Sequence, residues 1–378
     1  EKLDDRKAAN SLRSLSTASG LIDFSSNDYL GFAHNETIFA GAFQLLLKKG
    51  ISQNGASGSR LISGNHRLYQ ALEEQLCKVH QAESALVFNS GYDANIGFFS
   101  AVPQRTDVVF YDEFIHASIR DGIIMGTAKA YKFSHNDLED LKLGIERSRN
   151  ASDSKNEGEV YIVTESVFSM DGDRPDLKSM NDFCKQYGFH LVVDEAHAIG
   201  VFGKQGAGMV HELGIENDVF ARIITFGKAL GSHGAAVLGS QALVDYLVNF
   251  ARSFIYTTGL PPHTLVTVLS AYQYLASPEG SAQVDVLRQY IYFFTEKLSS
   301  LKLAAHFISS DSAIQSCIVP GNTKVKSLSK KLADDGFDVR AILSPTVPEG
   351  KERLRFCLHS TNGEQEIGLV LQLLKKYL

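Results

Sequence analysis

Two apolar segments of the sequence end in ionisable residues that could together serve an aldehyde cofactor. Lys228 closes the stretch ARIITFGK, and Asp194 directly follows HLVV. A lysine held in an apolar site is an amine nucleophile toward aldehydes and also a usable base. A carboxylate in such a site needs a cationic partner, because its ionisation is otherwise costly. The two residues therefore match a cofactor that carries both an aldehyde and a pyridine nitrogen.

Pyridoxal phosphate is such a cofactor, and the sequence also offers donors for its phosphate. Ser90, Gly91 and Tyr92 in the segment NSGY stand at a predicted strand-to-helix turn. Backbone N–H groups and the helix dipole favour an anion there. Thr225, three residues before the lysine, can add a hydroxyl, and His116 follows another predicted strand, where its imidazole could lie on the cofactor ring. These residue types predict a pyridoxal-phosphate site.

Each of these residues also has an ordinary structural interpretation when it is taken alone. A lysine after a strand usually extends to water, Asp194 could pair with a structural arginine, and Ser90 could cap a helix. His197 could be a packed histidine, and His116 could simply start a helix. Four predicted strand ends nevertheless carry polar residues, and the ligands of an open parallel sheet lie beyond the carboxyl ends of its strands. Their common position favours one shared site.

The elements that must position these residues follow from the hydrophobic pattern. Short β-branched segments alternate with longer helical patterns from about residue 84 onward, which predicts an α/β fold with a mostly parallel, doubly wound sheet. The 378 residues exceed the ~250–300 at which one core usually stops growing. The predicted parts are an N-terminal arm at 1–35, a large α/β domain at 36–262 and a smaller C-terminal α+β domain at 263–378. A polar surface loop is predicted at 148–159.

The composition argues against several classes of partner. The formal charge of -6 comes from 37 basic and 43 acidic residues, without a basic block that could follow a phosphate backbone. The 4 cysteines form no CxxC pair, so neither disulfides nor a metal site are predicted. No apolar run approaches the ~20 residues of a membrane helix, and the start lacks a signal-peptide core. We therefore expect a cytoplasmic protein that binds no nucleic acid, metal or membrane.

Eight motifs, in order along nearly the whole chain, resemble those of the α-oxoamine synthase family of fold-type I pyridoxal-phosphate enzymes. They are SSNDYLGF, GASGSRLISGNHRLYQALEEQL, DEFIHASIRDG, TESVFSMDGD, VVDEAHAIGVFGKQGAG, TFGKALG, FIYTTGLPP and SPTVPEGKERLRF. The resemblance is more specific than any single motif, because it covers the chain in the family's order. It implies a fold-type I transferase, pyridoxal 5'-phosphate as the cofactor, and a homodimer with a shared active site.

The resemblance assigns a role to each matching residue around the cofactor. Lys228 would bind the cofactor covalently and act as the catalytic base, while Asp194 would hold the pyridinium nitrogen. His197 would contact the phenolic oxygen, and His116 would stack on the ring. The remaining cofactor contacts would come from Ser90, Gly91, Tyr92, Glu165, Ser169 and Thr225, with Thr257 and Thr258 supplied by the second subunit.

The same resemblance places three residues near the substrates. Arg355, the second arginine of RLR, would hold the carboxylate of the amino acid with its planar bidentate fork, and Arg353 would be its structural neighbour. Asn27 would lie near the same substrate. Arg13 would lie near the access path of the acyl substrate, and a solvated helix arginine is an equal alternative for this residue.

The reaction implied by the resemblance is a decarboxylative condensation of an amino acid with an acyl thioester. The segments TVPEGKERLR and GASGSRLISGNH favour L-alanine and a pimeloyl thioester carried by coenzyme A or acyl carrier protein. The alternatives are a sister synthase that uses glycine, an aminotransferase, and a non-catalytic effector-binding domain.

The sequence departs from the family pattern at two positions. Many relatives carry a histidine shortly after the arginine pair, where this chain reads CLHSTNGE and has Asn362. His233 stands where relatives often have serine or another small residue. The roles of both residues are open at this point.

Overall fold

The computed structural model describes residues 1–13, 15, 20–150 and 158–378. These residues form two compact units. The large unit comprises Phe32–Phe168 and Arg174–Ser281. The small unit comprises Glu1–Gly31, Ser169–Asp173 and Ala282–Leu378. Most of the surface loop predicted at 148–159 lies outside the described residues.

A seven-stranded sheet forms the centre of the large unit as described. In spatial order its strands are Ser84–Phe88, Ala235–Gly239, Ala221–Thr225, His190–Asp194, Val160–Glu165, Val108–Asp112 and Lys129–Phe133. Neighbouring strands are parallel except where Ala235–Gly239 pairs with each of its two neighbours. The prediction of a mostly parallel α/β sheet is confirmed. The register pairs Glu165 with Asp194, so the last residues of two strands lie side by side.

The central strands are apolar on both faces, as expected for a sheet that helices cover on both sides. Ile162, Val163, Val192 and Val193 are fully buried. The helices of this unit are Glu36–Lys48, Arg67–His80, Gly91–Ala101, Ala117–Met125, Leu138–Asn150, Leu177–Tyr187, Met209–Glu212, Gln241–Phe250, Arg252–Ile255 and Pro262–Leu275, with a π-helical turn at Arg60–Gly64. No helix formed by the described residues is long and apolar enough to cross a membrane.

The small unit is built on two short sheets. Strands Arg340–Ile342, Arg353–Cys357 and Ile314–Ile318 form an antiparallel sheet in that order, and Ile22–Asp23 pairs in parallel with Phe337–Asp338. Its helices are Lys2–Ala8, Asn322–Asp334, Glu364–Tyr377 and the part of Pro278–Ser300 from Ala282 onward. The aromatic ring of Phe356 packs against those of Phe24 and Phe294, with centroids 6.4 and 5.8 Å away.

Two segments belong to a different compact unit from the domain in which the sequence analysis placed them. Helix Pro262–Leu275 belongs to the large unit, where the hydroxyl of Ser270 donates to the carbonyl of Ile38 at 3.0 Å. The segment Ser169–Asp173 belongs to the small unit although it lies between two parts of the large one. Because compact units are defined by packing alone, the functional domain boundaries predicted from the sequence stay predictions.

A tight turn follows Lys228 in the large unit. The N–H of Gly231 donates to the carbonyl of Lys228 at 2.8 Å. Gly231 has a φ of +58°, and a Cβ at this position would collide with the backbone of Phe32 and Ala33. The left-handed backbone therefore favours glycine at this position, and the lack of space for a Cβ requires it.

We expect Gly231→Ala to destabilise the protein more than Gly188→Ala. Gly188 has a similar φ of +70° but open space where a Cβ would stand, so its substitution costs only the left-handed strain, about 1 kcal/mol. Gly231→Ala adds a backbone collision and should cost at least about 2 kcal/mol more. Denaturant midpoints of both variants would test this, and equal shifts would contradict the steric argument.

Candidate active site

A cavity of about 190 Å³ opens at the carboxyl ends of the parallel strands of the large sheet. Because those ends meet at one edge, residues far apart in sequence come together there. Eight predicted site residues line it: Gly91, Tyr92, His116, Glu165, Asp194, His197, Thr225 and Lys228. Asn95, Ser118, Ala196 and Ile223 line it as well. The strand-end pattern therefore located one cavity, although the sequence did not reveal all of its lining.

The side chain of Lys228 is half-buried and contacts a histidine. Its Nζ lies 2.5 Å from Nε2 of His197, which is itself 5% exposed. The amine of Lys228 therefore contacts a buried side chain and does not simply extend into water. An amine and an imidazole at this distance can exchange a proton directly, which is the geometry that general acid–base catalysis needs.

Asp194 is held in place by two hydrogen bonds. Its Oδ2 accepts from Nδ2 of Asn95 at 2.9 Å, and its Oδ1 accepts from the N–H of Ala196 at 2.9 Å. Asn95 also donates to the hydroxyl of Ser118 at 3.0 Å. Asn95 was missed from the sequence, although it lies one helical turn beyond Gly91 on the helix that faces the strand ends. That spacing was the available signal.

His116 begins the helix Ala117–Met125 and lies beside the same groups. Its Nδ1 is 2.7 Å from the hydroxyl of Ser118, and its N–H donates to Oε1 of Glu165 at 2.5 Å. Burial lowers the pKa of the His116 imidazole, and the Lys228 amine lowers it further, while the Asp194 carboxylate opposes this shift. A neutral imidazole is therefore favoured at neutral pH.

Glu165 has the opposite shift. Burial raises its pKa to about 8, helped by the neighbouring Asp194 carboxylate and opposed by the Lys228 amine and by the hydrogen bond from His116. The carboxyl group of Glu165 is therefore protonated at neutral pH and can donate a hydrogen bond. The cavity thus contains a neutral acid beside a paired carboxylate.

The turn before helix Gly91–Ala101 fits an anion. The hydroxyl of Ser90 accepts from the N–H of Asp93 at 3.0 Å and so caps the helix. The N–H groups of Gly91 and Tyr92 have no acceptor within the helix and remain for a ligand. Thr225 lies across from Gly91, with its Oγ1 3.8 Å from where a Cβ would stand. Ser90 is therefore a helix cap, which is the structural interpretation that the sequence analysis gave for it. As a cap it supports the turn that fits an anion.

Some predicted cofactor residues lie elsewhere. Thr257 and Thr258 do not line the cavity; Asn89 donates to Oγ1 of Thr257 at 3.1 Å and to the carbonyl of Thr258 at 2.6 Å. Ser169 belongs to the small unit and is also not among the lining residues. Since the resemblance assigns both threonines to the site of a second subunit, their roles stay predictions.

The small unit holds the predicted substrate residues. Arg355 is 8% exposed, and its Nη2 donates to Oδ1 of Asn27 at 2.7 Å. Within the described chain, Nε of Arg355 has no hydrogen-bond partner. Arg353 instead forms a buried ion pair with Asp171. Arg13 is exposed, and its Nη2 donates to Oγ1 of Thr346 at 3.2 Å. The structure therefore gives the two arginines of RLR different partners.

Sequence and structure comparisons agree with this arrangement. The sequence profile described as aminotransferase class I and II matches residues 19–370, and the chain therefore belongs to this family. An 8-amino-7-oxononanoate synthase of Emericella nidulans is 39% identical over 95% of this chain and 90% of its own length. The resemblance to the α-oxoamine synthases is confirmed.

Solved structures give the same fold. The 8-amino-7-oxononanoate synthase from Francisella tularensis has a TM-score of 0.76 at 29% identity, covering 94% of this chain and 97% of its own. A lysine-to-alanine variant of a serine palmitoyltransferase from S. paucimobilis, with a bound PLP–myriocin aldimine, has a TM-score of 0.86 at 26% identity, covering 94% of this chain and 87% of its own. The predicted fold-type I architecture and pyridoxal phosphate as the cofactor are confirmed.

The described residues fit this cofactor. The N–H groups of Gly91 and Tyr92 in the first turn of their helix suit its phosphate. The hydrogen-bonded carboxylate of Asp194 suits its pyridine nitrogen, and the amine of Lys228 suits its aldehyde. A cavity that gathers these three kinds of group on a rigid sheet edge needs little rearrangement to bind the cofactor.

We expect borohydride reduction of the protein with pyridoxal phosphate to fix the cofactor to Lys228. Peptide mass spectrometry after digestion would locate the label. Lys228→Ala should lose the covalent label and at least about 10²-fold in turnover, since it removes both a nucleophile and a base. Lys204→Ala, at an exposed lysine of the same unit, is the matched control. A label on another lysine would overturn the assignment.

Glu165→Gln should make the stability of the cofactor-free protein less dependent on pH. In the unfolded chain a glutamic acid ionises near pH ~4.3, whereas folded Glu165 keeps its proton up to about pH 8. Between these two pH values the folded protein therefore binds more protons than the unfolded chain. Its free energy of unfolding consequently falls as the pH rises.

The stability of Glu165→Gln relative to wild type should therefore increase from about pH 5 to about pH 8 and then stay constant. Thermal unfolding at pH 5, 7 and 8.5 would measure this difference. Glu349→Gln, at an exposed position, is the matched control for the substitution itself. A difference that does not vary with pH would show that Glu165 is not protonated in the fold.

Proposed function

We propose that this chain catalyses the decarboxylative condensation of L-alanine with a pimeloyl thioester to give 8-amino-7-oxononanoate, a step of biotin biosynthesis. The observation that carries the proposal is the cavity in which Lys228 meets His197 beside the held carboxylate of Asp194. The proposal is further supported by the 39% identity to a protein named 8-amino-7-oxononanoate synthase over 95% of the chain.

The residues of the cavity divide the proton chemistry among them. Pyridoxal phosphate, when bound, supplies an electron sink that stabilises negative charge on the α-carbon of the amino acid. Lys228 removes the α-proton with its Nζ, and His197 at 2.5 Å passes protons to and from that amine. Asn95 keeps the carboxylate of Asp194 in one position, so that it can stabilise a cation opposite the lysine.

Arg355 holds the carboxylate of alanine in this proposal. A guanidinium group binds a carboxylate best through two parallel N–H donors. Asn27 takes one donor of Arg355, and the unpartnered Nε leaves another for a ligand. The proposal also keeps Asn27 near the amino acid, Ser169 near the phenolic oxygen of the cofactor and Arg13 near the acyl substrate.

The proposal includes a homodimer in which Thr257 and Thr258 complete the site of the partner. It is supported by an apolar stripe on helix Glu36–Lys48, where Phe39, Phe43 and Leu47 are 78%, 56% and 58% exposed. These residues recur every four positions and so share one helix face. An exposed stripe of this kind is typical of a surface that another chain covers.

The proposal places the protein in the cytoplasm. None of its four cysteines, Cys77, Cys184, Cys317 and Cys357, forms a disulfide, which fits a reducing compartment. Three of them are buried. Burial raises the pKa of the thiols of Cys184 and Cys317 to about 12, so these two act as packing residues rather than as nucleophiles.

A sister synthase that uses glycine is the main alternative, because it would need every cofactor residue described above. The aminotransferase and effector-binding alternatives are less well supported, since the Emericella nidulans protein that is 39% identical over 95% of this chain is named as a synthase. Side chains that meet the substrate must distinguish alanine from glycine. Apolar contacts discriminate by only ~1–3 kcal/mol per methylene.

We expect thiol release from pimeloyl thioester with L-alanine, and much less with glycine. Purified protein with pyridoxal phosphate would be assayed with alanine, glycine and serine, each against pimeloyl, acetyl and palmitoyl thioesters of coenzyme A and acyl carrier protein. Mass spectrometry would identify the product. Protein carrying Lys228→Ala is the inactive control. Turnover with glycine and acetyl thioester, but not with alanine and pimeloyl thioester, would refute the proposal in favour of the sister synthase.

A further inference from the structure

The segment Asp23–Tyr29 of the small unit carries Asn27, the partner of Arg355. Its two ends are tied to the strand that carries Arg355 and to the residues after it. The carbonyl of Phe24 accepts from the N–H of Cys357 at 2.8 Å, and that of Tyr29 accepts from the N–H of Ser360 at 2.8 Å. Between these two backbone hydrogen bonds, the position of Asn27 depends on the side chains that contact the segment.

His359 fills the space under this segment. It is 2% exposed, and its Nδ1 lies 3.1 Å from the carbonyl of Asp23, to which only a donor can bond. Its Nε2 lies 3.1 Å from both the hydroxyl and the carbonyl of Ser26. One buried imidazole thus connects the backbone at the start of the segment to Ser26, the neighbour of Asn27.

Asn362 supports the same imidazole. Its Oδ1 accepts from the N–H of His359 at 2.9 Å, and its Nδ2 donates to the carbonyl of Asp23 at 3.1 Å. Asn362 is 6% exposed. It therefore fixes the backbone of His359 and adds a second donor to the same carbonyl.

Asp23 completes the turn with its own side chain. Its Oδ1 accepts from the N–H groups of Ser25 and Ser26 at 2.7 and 2.9 Å. Burial raises the pKa of Asp23, but these hydrogen bonds outweigh burial and leave the pKa below its usual value. The turn that leads into Asn27 is therefore held by an ionised carboxylate on one side and by His359 on the other.

Asn27 in turn orients the guanidinium of Arg355. Its Oδ1 accepts from Nη2 of Arg355 at 2.7 Å and from the hydroxyl of Tyr29 at 3.3 Å. A displacement of Asn27 would release one edge of the guanidinium. Because bidentate binding of a carboxylate requires both donors in one plane, such a release weakens carboxylate binding first.

We propose that His359 and Asn362 are positioning residues for the substrate carboxylate, acting on Arg355 through the turn Asp23–Ser26 and Asn27. Both side chains are buried and lie against the turn that leads into Asn27, which gives Asn362 a role that the sequence left open. The inference rests on the proposed role of Arg355 as the carboxylate ligand.

The test separates the affinity for the amino acid from the other kinetic parameters. For His359→Ala we expect the KM for the amino acid to rise about tenfold, with kcat and the KM for the acyl thioester within about twofold, because only one binding contact is loosened. His359→Gln, which can still donate to the Asp23 carbonyl, should recover part of the loss. The exposed His306→Ala in the same unit is the matched control. The change in cofactor absorbance as amino acid is added gives its Kd independently of turnover.

Two gentler variants keep the test decisive if His359→Ala does not fold. Ser26→Ala and Asn362→Ala each remove one contact of the network and should each raise the amino-acid Kd about threefold. Unchanged amino-acid affinity in both, or equal losses for both substrates and the cofactor, would overturn the inference. Arg355→Lys distinguishes the two levels of proposal. If it leaves amino-acid affinity intact, the carboxylate assignment itself fails; if it weakens affinity while the His359 and Asn362 variants do not, only the positioning inference fails.

Discussion

The charges at the carboxyl edge of the large sheet depend on the amine of Lys228. Two carboxyl groups, those of Asp194 and Glu165, lie next to each other at the ends of paired strands. Burial raises the pKa of Glu165, the Asp194 carboxylate raises it further, and the Lys228 amine lowers it. The same two charges act in opposite directions on His116. A site in poor solvent can hold one hydrogen-bonded carboxylate beside one amine, while Glu165 and the imidazole of His116 remain neutral.

A second buried network anchors the turn that carries Asp194. Glu195, the next residue, is fully buried, and its Oε1 accepts from the N–H of Val210 at 3.0 Å. Burial raises the pKa of Glu195 to about 7, while the nearby guanidinium of Arg222 opposes this shift. Arg222 in turn donates to the carbonyl of His80 at 2.6 Å. The buried side chain of Glu195 therefore holds the loop at residues 195–210 in place. His197, which lies in this loop, is kept in contact with Lys228.

The sequence predicted the large sheet and the cavity because both follow from local patterns. Apolar strands that end in Glu165, Asp194 and Thr225 can be recognised one at a time, and parallel topology then brings their ends together. Asn95 was missed because its role depends on which face of its helix meets Asp194. The hydrogen bond between Arg355 and Asn27 was not predicted. The resemblance placed both residues near the amino acid, but no local pattern connects side chains 328 positions apart.

Chemistry is easier to predict than substrate for this family of proteins. The amine, the held carboxylate and the anion-binding turn are polar groups whose misplacement would leave buried charge uncompensated, and this constrains residue types strongly. Recognition of the methyl group of alanine or of an acyl chain rests on apolar contacts, which many side chains can provide. The residues that position the substrate carboxylate are intermediate in how well the sequence predicts them. In the proposal, Arg355 meets the carboxylate directly, whereas His359 and Asn362 act at a distance through the carbonyl of Asp23 and the position of Asn27.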